Sequence, residues 1–492
     1  MIRERKTKMF IQQPKPFSTI FMVGMCESFS IYGLRALFTL YLASELLFND
    51  HQTYELYGAF GALLYSLPFI GGLITDRGLG LRRSIIMGSL IMILGFTLLF
   101  LPFKNTFYVG ISMVICGYAF YKPNLTSMLG KLYQAGDPRR DSGFSLIFVA
   151  SNIGAFIAPL ICGYVAYSYN WSYAFSLTSV GMIIGLLFFL RGFHLFAPYD
   201  LEIPKPQYVE ARGLKFRHLV YLGVLPVIST LYLLMINSKW MNLFMPLTFS
   251  LVAIWVLRLA FRSSQQERAN IFTLLVFLGF VLIFDICFEQ AWSSINFLVE
   301  RTVARTFYSF EIPSAWFLGI NPLLVVFFGP LISYLWLKLD QYKYPISVEV
   351  KFIIGLLTLA LGFAALYGGT QLPNSYGLVN PQWIFLGYAF HAIGELCIIP
   401  VGISLVSKLA PKNYASTFMG LWYFIWAFSH YLGGQVAKLT ANTNIQDACN
   451  LVKCRTIFGN IFWYMTLILV GLSILLYFIR PYLRPTLKRV AD

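Results

Sequence analysis

Several ionisable residues lie inside stretches that are otherwise apolar enough to cross a lipid bilayer, among them Glu27, Arg35, Lys122, Asp285, Glu289, His391 and Glu395. A charged side chain at the bilayer centre costs about 2.5–3.5 kcal/mol on insertion scales, so it normally faces a partner or a water-filled cavity. Such groups can bind a charged solute or carry a proton. The sequence has no Cys/His cluster with metal-ligand spacing, no nucleophile–base set and no phosphate loop. We therefore expect no metal, no cofactor and no enzyme activity.

The composition identifies the medium around these residues. The chain has 492 residues, of which 58% are hydrophobic and 12% charged, whereas a soluble domain has roughly 25% charged residues. This contrast indicates a polytopic membrane protein. The formal net charge of +16 would suggest a nucleic-acid partner for a soluble protein, but here most bases lie in short loops between apolar runs. We expect these bases to contact the lipid bilayer and set orientation, with no nucleic acid bound.

Fourteen apolar runs are long enough to span a membrane, counting about 20 residues per span. Basic residues concentrate in alternate loops, and the basic N-terminal segment lacks the short apolar core of a secretory signal. We predict an all-α membrane protein with both termini on the cytoplasmic side. The predicted helices are 17–47, 55–75, 84–103, 107–132, 144–167, 172–191, 217–237, 240–261, 271–298, 315–338, 350–369, 382–409, 415–440 and 458–479.

These helices group into two halves of six with a pair between them. In the predicted seventh and eighth helices, no charged residue occurs in the apolar stretches LVYLGVLPVISTLYLLM (219–235) and MNLFMPLTFSLVAIWVL (241–257), so we interpret these helices as additions that face lipid. The remaining 6 + 6 layout is that of a transporter with its site near the midplane. The predicted segments are an N-terminal tail (1–16), a six-helix bundle (17–191), a linker (192–216), two extra helices (217–262), a second six-helix bundle (263–480) and a C-terminal tail (481–492).

The stretch GGLITDRGLGLRR at 71–83 combines small residues with charge. Gly71 and Gly72 would permit close helix approach. We predict a conformational latch formed by Asp76 with Arg77, Arg82 and Arg83, worth about 1–3 kcal/mol. The alternative is a solvated loop whose charges only set orientation. The spacing resembles the inner-loop motif of the major facilitator superfamily.

Seven stretches, spread in order over the chain, carry a more specific resemblance. They are FSIYGLRALF (29–38), KPNLTSMLGKLY (122–133), GDPRRDSGF (136–144), NIGAFIAPLICGY (152–164), FEQ (288–290), GELCIIPVGISLVSKLAP (394–411) and MGLWYF (419–424). In order and spacing they resemble the proton-dependent oligopeptide transporter (POT) family, over roughly 17–480. The resemblance implies a major facilitator superfamily fold and the uptake of small peptides with protons.

The resemblance also implies roles for individual residues. Arg35 and Lys122 match basic site residues, and Glu395 matches the acid that holds the substrate's amino terminus. By charge alone, a zwitterion such as a short peptide would complement cations in the first half and anions in the second. The alternatives are a purely structural ion pair, helix–helix contact for the asparagines and packing for the tryptophans. The implied substrate-binding residues are Tyr32, Arg35, Tyr65, Lys122, Asn152, Asn321, Glu395, Trp316 and Trp422.

The first helix departs from the family pattern ExxERFxYYG. Gly24, Ser28 and Ile31 replace the first acid, the arginine and one tyrosine, so that only Glu27 remains of the two acids. Because an acid and a base are lost together, the charge of the motif stays at −1, which avoids an unpaired charge. We expect Gly24 and Ser28 to act as a small pair for close helix packing. The departure puts the usual proton-coupling scheme in doubt, the alternative being simple repacking.

Four residues are our predicted proton-coupling groups: Glu27, Asp285, Glu289 and His391. Asp285 lies one turn before Glu289, and two nearby carboxylates favour proton binding by one of them. His391 lies one turn before Glu395, and His430 lies in the next helix. Histidine suits proton transfer near neutral pH, although a core role is the alternative for each. We expect the loss of Asp285 to alter the pH dependence of transport more than the loss of His430.

The combined hypothesis is an importer of di- or tripeptides, or of peptide-like solutes, in a bacterial inner membrane. It would be a functional monomer, would work by alternating access and would use the proton as coupling ion. Two alternatives remain: a transporter of the same fold for a non-peptide solute or without coupling, and a membrane nutrient sensor that binds without transport. Cys449 and Cys454 share one loop and would form a disulfide if it faces an oxidising compartment.

Overall fold

The computed structural model describes residues 13–134, 137, 139–199, 216–342, 346–411, 414–441 and 450–491. These residues are almost entirely helical, because a helix satisfies every backbone polar group within its own segment in a medium without water. The all-α prediction is confirmed. The helices are α1 (Phe17–Ser44), α2 (Asp50–Ser66), α3 (Pro68–Ile74), α4 (Leu81–Leu98), α5 (Lys104–Lys131), α6 (Arg139–Ser168), α7 (Trp171–Arg191), α8 (Phe216–Ile236), α9 (Met241–Arg262), α10 (Gln265–Phe288), α11 (Ser294–Thr302), α12 (Ile320–Gln341), α13 (Val348–Gln371), α14 (Pro381–Leu409), α15 (Ala415–Ala437) and α16 (Leu451–Ala491).

Each of the fourteen predicted spans coincides with a helical segment in the described part of the chain. Twelve of these segments are both long enough and apolar enough to cross a membrane. The other two, α5 and α15, have 28 and 23 residues and therefore the required length. For α5 the polar side chains, among them Lys104, Lys122 and Asn124, lower the mean hydropathy. Membrane crossing by α5 and α15 stays a prediction.

Two of the spans are interrupted. The span Asp50–Leu79 is broken at Leu67, between α2 and α3. It ends in a π-helical turn (Thr75–Leu79) in which Gly78 has a φ of +143°, and Gly80, which follows the turn, has a φ of +83°. Between α10 and α11 a 3-10 turn (Glu289–Trp292) breaks the helix. Short 3-10 stretches inside a long helix often mark functional hinges. Outside the helices the described residues contain one small hairpin, β1 (Thr306–Phe307) with β2 (Phe310–Glu311).

The last helix extends well beyond its predicted end at 479. It continues to Ala491 through Pro481 and Pro485. The extension is held by contacts: Leu483 is buried, and Arg484 Nε donates to Glu349 Oε1 at 3.0 Å.

The cysteines mostly fill core positions, as predicted. Five of them are free and buried: Cys26, Cys116, Cys162, Cys287 and Cys397. Cys454 is disulfide-bonded, and Cys449, its predicted partner, lies outside the described residues.

The chain divides into two compact units. The first unit comprises 1–38 and 63–237, and the second comprises 39–62 and 238–492. Within the first unit, α4 and α5 pack through glycines. A Cβ at Gly88 would lie 2.6 Å from the Gly117 carbonyl oxygen, and one at Gly95 would lie 2.7 Å from that of Gly110. Within the second unit, Gly355 and Gly394 bring α13 and α14 together in the same way. Small residues therefore set the helix spacing in each unit.

Only one residue of the Gly71–Gly72 pair in the first unit makes a close packing contact. A Cβ at Gly71 would overlap the backbone carbonyl of Ala119 in α5, whereas the nearest atom to a Cβ at Gly72 is 3.8 Å away, on Pro123. The predicted close approach is therefore confirmed for Gly71 and wrong for Gly72, which lies on a more open side of α3.

We predict that Gly71→Ala destabilises the protein by about 1–3 kcal/mol, because the added methyl group must displace backbone. Gly72→Ala is the matched control. Helix propensity favours alanine over glycine by about 1 kcal/mol at either position, so this control is expected to be neutral or slightly stabilising. The apparent Tm of the purified protein in detergent measures both. Equal Tm values for the two variants would contradict the assigned packing.

Candidate functional site

An ion pair connects α1 with α5 in the first unit. Lys122 Nζ lies 2.8 Å from Glu27 Oε2, with 35% of the Lys122 side chain exposed and 2% of that of Glu27. The Ser28 hydroxyl lies 3.5 Å from the same carboxylate oxygen. Glu27 was predicted as a proton-coupling group and Lys122 as a substrate-binding one. Their contact supports the alternative of an interhelical pair for Lys122, while the partial exposure of the lysine leaves it accessible to a solute.

The small residues beside Glu27 pack differently from the expectation. A Cβ at Gly24 would meet its nearest neighbours at 3.9 Å, which is an ordinary contact distance. The close approach is made instead by Gly154 of α6, whose Cβ would overlap the Met25 carbonyl oxygen and lie 3.1 Å from the Ser28 Cβ. Gly24 is therefore not a packing requirement, and Ser28 is the member of the pair that packs closely.

Aromatic rings accompany both cations of the first unit. Arg35 is 3% exposed, and its guanidinium carbon lies 5.6 Å from the centre of the Tyr32 ring. Lys122 Nζ lies 6.0 Å from the Tyr118 ring, which packs edge-on to Tyr65 at 6.3 Å. Tyr65 and Lys122, which were both predicted to bind substrate, thus both lie next to Tyr118. Tyr118 was missed in the sequence, although it lies one helical turn before Lys122 and so faces the same side of α5.

The remaining predicted residues of the first unit lie apart from these contacts. Asn152 donates to the Phe148 carbonyl of its own helix at 2.9 Å. Asp76 is exposed and makes no ion pair within the described part of the chain, and Arg77 and Arg83 are also exposed. Arg82 lies 4.7 Å from the Phe193 ring. The roles of Asn152 and of the latch residues stay predictions.

The second unit contains a buried acid–histidine pair. Glu289 and His430 are 6% and 4% exposed, and His430 Nδ1 lies 2.9 Å from Glu289 Oε2. The Tyr57 hydroxyl donates to the same oxygen at 3.4 Å. Glu289 is the first residue of the 3-10 turn that breaks α10 from α11. A carboxylate, an imidazole and a phenol therefore meet at a discontinuity of a spanning segment.

Glycines make room for this cluster. A Cβ at Gly58 in α2 would lie 3.2 Å from the Gly434 Cα in α15, and a Cβ at Gly61 would lie 2.6 Å from His430 Nδ1. The ring of His430 therefore packs against a bare backbone position. Tyr57 was missed in the sequence; the available signal was the Gly58 and Gly61 spacing, which indicates a helix face in close contact.

The other predicted acids and His391 have separate environments in the second unit. Asn321 Nδ2 donates to Glu395 Oε2 at 3.1 Å, so two predicted substrate-binding residues are joined. Asp285 is buried one turn before Glu289. His391 is fully buried against the Phe363 ring at 4.9 Å, and neither of its ring nitrogens has a hydrogen-bond partner among the described residues. Its surroundings are those of a core side chain.

The predicted pocket tryptophans differ from each other in exposure. Trp422 is 1% exposed and packs against Gly402, where a Cβ would lie 2.5 Å from the indole. Trp316 is half-buried and lies 5.9 Å from the Phe310 ring. Packing, the alternative weighed for such residues, fits Trp422 better than Trp316.

Comparison with known proteins places this geometry in a family. A family model described as POT family matches residues 82–457, which is well over half of the chain. The chain belongs to the POT family. As a POT-family member it is a multi-pass membrane transporter and not an enzyme.

Relatives of the POT-family chain match it over nearly its whole length. Dipeptide and tripeptide permease B of Salmonella typhimurium is 28% identical over 478 residues, with 96% of each chain covered. The protein of the same name from Shigella dysenteriae is 29% identical over 480 residues, again with 96% of each covered.

Solved structures agree with this assignment. The crystal structure of peptide transporter POT in complex with sulfate has a TM-score of 0.84 at 27% identity, with 96% of each chain covered. A mutant of peptide transporter POT in complex with alafosfalin has a TM-score of 0.82 at 27% identity, with the same coverage. The predicted major facilitator superfamily fold is thereby confirmed.

We predict that Glu27 and Lys122 behave as one energetic unit. Glu27→Gln and Lys122→Gln should each lower the apparent Tm, because each removes one charge of the pair. The double variant should lose less than the sum of the single losses, with a coupling energy of about 0.5–3 kcal/mol. Asn152→Ala in α6 is the control and should be additive with either substitution. Additive losses for Glu27 and Lys122 would refute the pairing.

Proposed function

We propose that this POT-family chain imports di- or tripeptides, or peptide-like solutes, together with protons, by alternating access. The observation that carries the proposal is the buried contact between Glu289 and His430 at the break of a spanning segment, 2.9 Å between Nδ1 and Oε2. The substrate class is supported by the relatives named dipeptide and tripeptide permease B and by the transporter bound to alafosfalin. The chain itself supplies charged residues that suit a zwitterionic solute.

Each end of a peptide has a candidate partner. Arg35 is a buried cation with an aromatic neighbour, Tyr32, and can pair with a carboxylate. Glu395 is oriented by Asn321 at 3.1 Å, which leaves one of its carboxylate oxygens for an ammonium group. We assign the substrate's carboxylate to Arg35, assisted by Lys122, and its amino group to Glu395. Tyr65 and Trp316 are the aromatic residues that we place beside the substrate.

Proton coupling is assigned to Glu289 and His430. The Glu289 carboxylate and the His430 imidazole are buried 2.9 Å apart, and separating them would remove the partner of any charge that either group carries. A conformational change at the 3-10 turn that carries Glu289 would therefore be linked to proton binding or release. This assignment reverses the ranking of Asp285 over His430 that was expected from the sequence. Because Glu27 faces Lys122, we give it a positioning role for the lysine.

The relatives and the charge pattern support our proposal for the cellular setting. We place the chain in a bacterial inner membrane as a monomer, with both termini cytoplasmic. A membrane potential of about 100 mV supplies about 2.3 kcal/mol per charge moved, enough for roughly fifty-fold accumulation before any pH gradient is added.

The decisive experiment is uptake of labelled dipeptide by proteoliposomes that contain the purified chain. We expect accumulation above equilibrium when the outside is made acidic, and only equilibration without a gradient. Arg35→Gln and Glu395→Gln should each raise the half-saturating dipeptide concentration at least ten-fold, because each removes an ionic contact of about 1.5–3 kcal/mol. Uptake that ignores the gradient would identify a facilitator, and saturable binding without uptake would identify a sensor. If the purified chain neither binds nor takes up dipeptide, a peptide substrate is excluded.

The two histidines provide a matched test of the proton site. His430→Gln should abolish gradient-driven accumulation while leaving dipeptide exchange across the membrane, because exchange needs no net proton movement. His391→Gln should keep both activities. The readout is the ratio of accumulation to exchange as a function of pH. Loss of accumulation in the His391 variant with a normal His430 variant would reassign proton coupling to His391, as the sequence first suggested.

A further inference from the structure

A cavity of about 520 Å³ lies where α9 ends, α10 begins and α15 begins. Its lining includes Trp255, Arg258 and Arg262 from α9 and Tyr414 just before α15. All of these residues belong to the second unit. Arg262 is the last residue of α9 and of its candidate membrane span. The cavity therefore lies at a boundary between the lipid-facing part of the chain and its loops, and none of the proposed peptide and proton residues lines it.

The charge of this cavity is mainly positive. Arg258 and Arg262 are one helical turn apart, so their side chains lie on the same side of α9. Both are exposed, and within the described part of the chain neither guanidinium has a carboxylate within 4.0 Å. Arg268, by contrast, donates to the carbonyls of Ala260 and Phe261 and so closes the end of α9.

One acid, Glu267, also lines the cavity. Its backbone N–H donates to the Ser264 hydroxyl at 3.4 Å, which caps α10, and that hydroxyl donates to the Glu267 carboxylate at 3.2 Å. The carboxylate is thus engaged at the helix start and offsets only part of the charge of the two arginines. The balance favours an anionic ligand.

Aromatic and apolar surfaces adjoin the arginines. Trp255 and Tyr414 pack edge-on with ring centres 6.0 Å apart, and they are 40% and 38% exposed. Such rings are typical of the membrane–water interface, where one side of the residue is apolar and the other is wet. Along the same helix Leu251, Ile254 and Phe261 are 58%, 47% and 62% exposed, and they form an apolar surface beside the cavity.

We propose that this cavity binds the phosphate of an anionic phospholipid headgroup. The guanidinium groups of Arg258 and Arg262 would contact phosphate oxygens, since arginine's planar fork matches that geometry. The exposed apolar side chains of α9 would contact an acyl chain. Basic pockets between spanning helices are typical of such sites. Free phosphate shares the charge but has no acyl chain to contact α9, so the lipid is the source that both surfaces fit.

The test is lipid binding by the purified full chain in detergent, followed by native mass spectrometry. Palmitoyl-oleoyl phosphatidylglycerol should bind more tightly than the phosphatidylcholine with the same acyl chains. The double variant Arg258→Gln/Arg262→Gln should bind phosphatidylglycerol roughly thirty-fold more weakly, because each basic side chain near a membrane surface contributes about 1 kcal/mol. The double variant Lys488→Gln/Arg489→Gln removes two exposed charges from the end of α16 and should bind as the natural chain does.

A second variant, which is expected to raise the affinity for phosphatidylglycerol, tests the proposal even if the arginine variant folds poorly. Glu267→Gln keeps the backbone N–H that Ser264 caps but removes the negative charge, so it should bind phosphatidylglycerol roughly five-fold more tightly. Unchanged affinity in either the arginine or the glutamate variant would overturn the proposal, as would equal binding of phosphatidylcholine. Displacement of the lipid by inorganic phosphate at equal concentration would show that the site recognises free phosphate instead, and would also overturn it.

Discussion

Charged side chains in a medium without water must find partners inside the protein, and this constraint explains much of the helix packing in each unit. Glu27 of α1 meets Lys122 of α5 at 2.8 Å, and Glu289 meets His430 of α15 at 2.9 Å. Glu395 of α14 accepts from Asn321 of α12. Each contact connects two helices that are far apart in sequence. The groups that suit a peptide or a proton therefore also fix the arrangement of the helices that carry them.

Close helix approach is the condition under which these partners can meet. Gly154 lets α6 contact the turn of α1 that carries Glu27, and Gly61 leaves room for the ring of His430. Apolar packing between helices gains little from hydrophobicity in lipid, so small residues that bring backbones together matter more than in a soluble core. The polar contacts therefore depend on the glycine contacts, which bring the helices close enough for the polar side chains to meet.

The altered first helix becomes intelligible on this basis. With Gly24 and Ser28 in place of an acid and a base, Glu27 is the acid that contacts Lys122, and the Ser28 hydroxyl lies beside it. Gly24 has ordinary contact distances around it, so its identity is not required by packing. The loss of the acid and the base together leaves one balanced ion pair in α1 and α5, which fits the transfer of proton coupling to Glu289 and His430 that we propose.

Composition and periodicity alone determined the medium, the helical class and the positions of the fourteen helical segments, because hydropathy over about 20 residues is a local property. The ordered motifs determined the family for the same reason, since they are read residue by residue. The contact partners of the ionisable residues could not be determined from the sequence in this way. The sequence ranked Asp285 above His430 and placed His391 near the proton, yet only the tertiary structure brings His430 and Tyr57 to Glu289 and surrounds His391 with aromatic rings. Contacts between helices depend on how each helix is rotated about its axis and on how closely two helices approach. Residues such as Gly61 permit that approach, but the spacing of residues along one helix does not reveal which helix will be the neighbour.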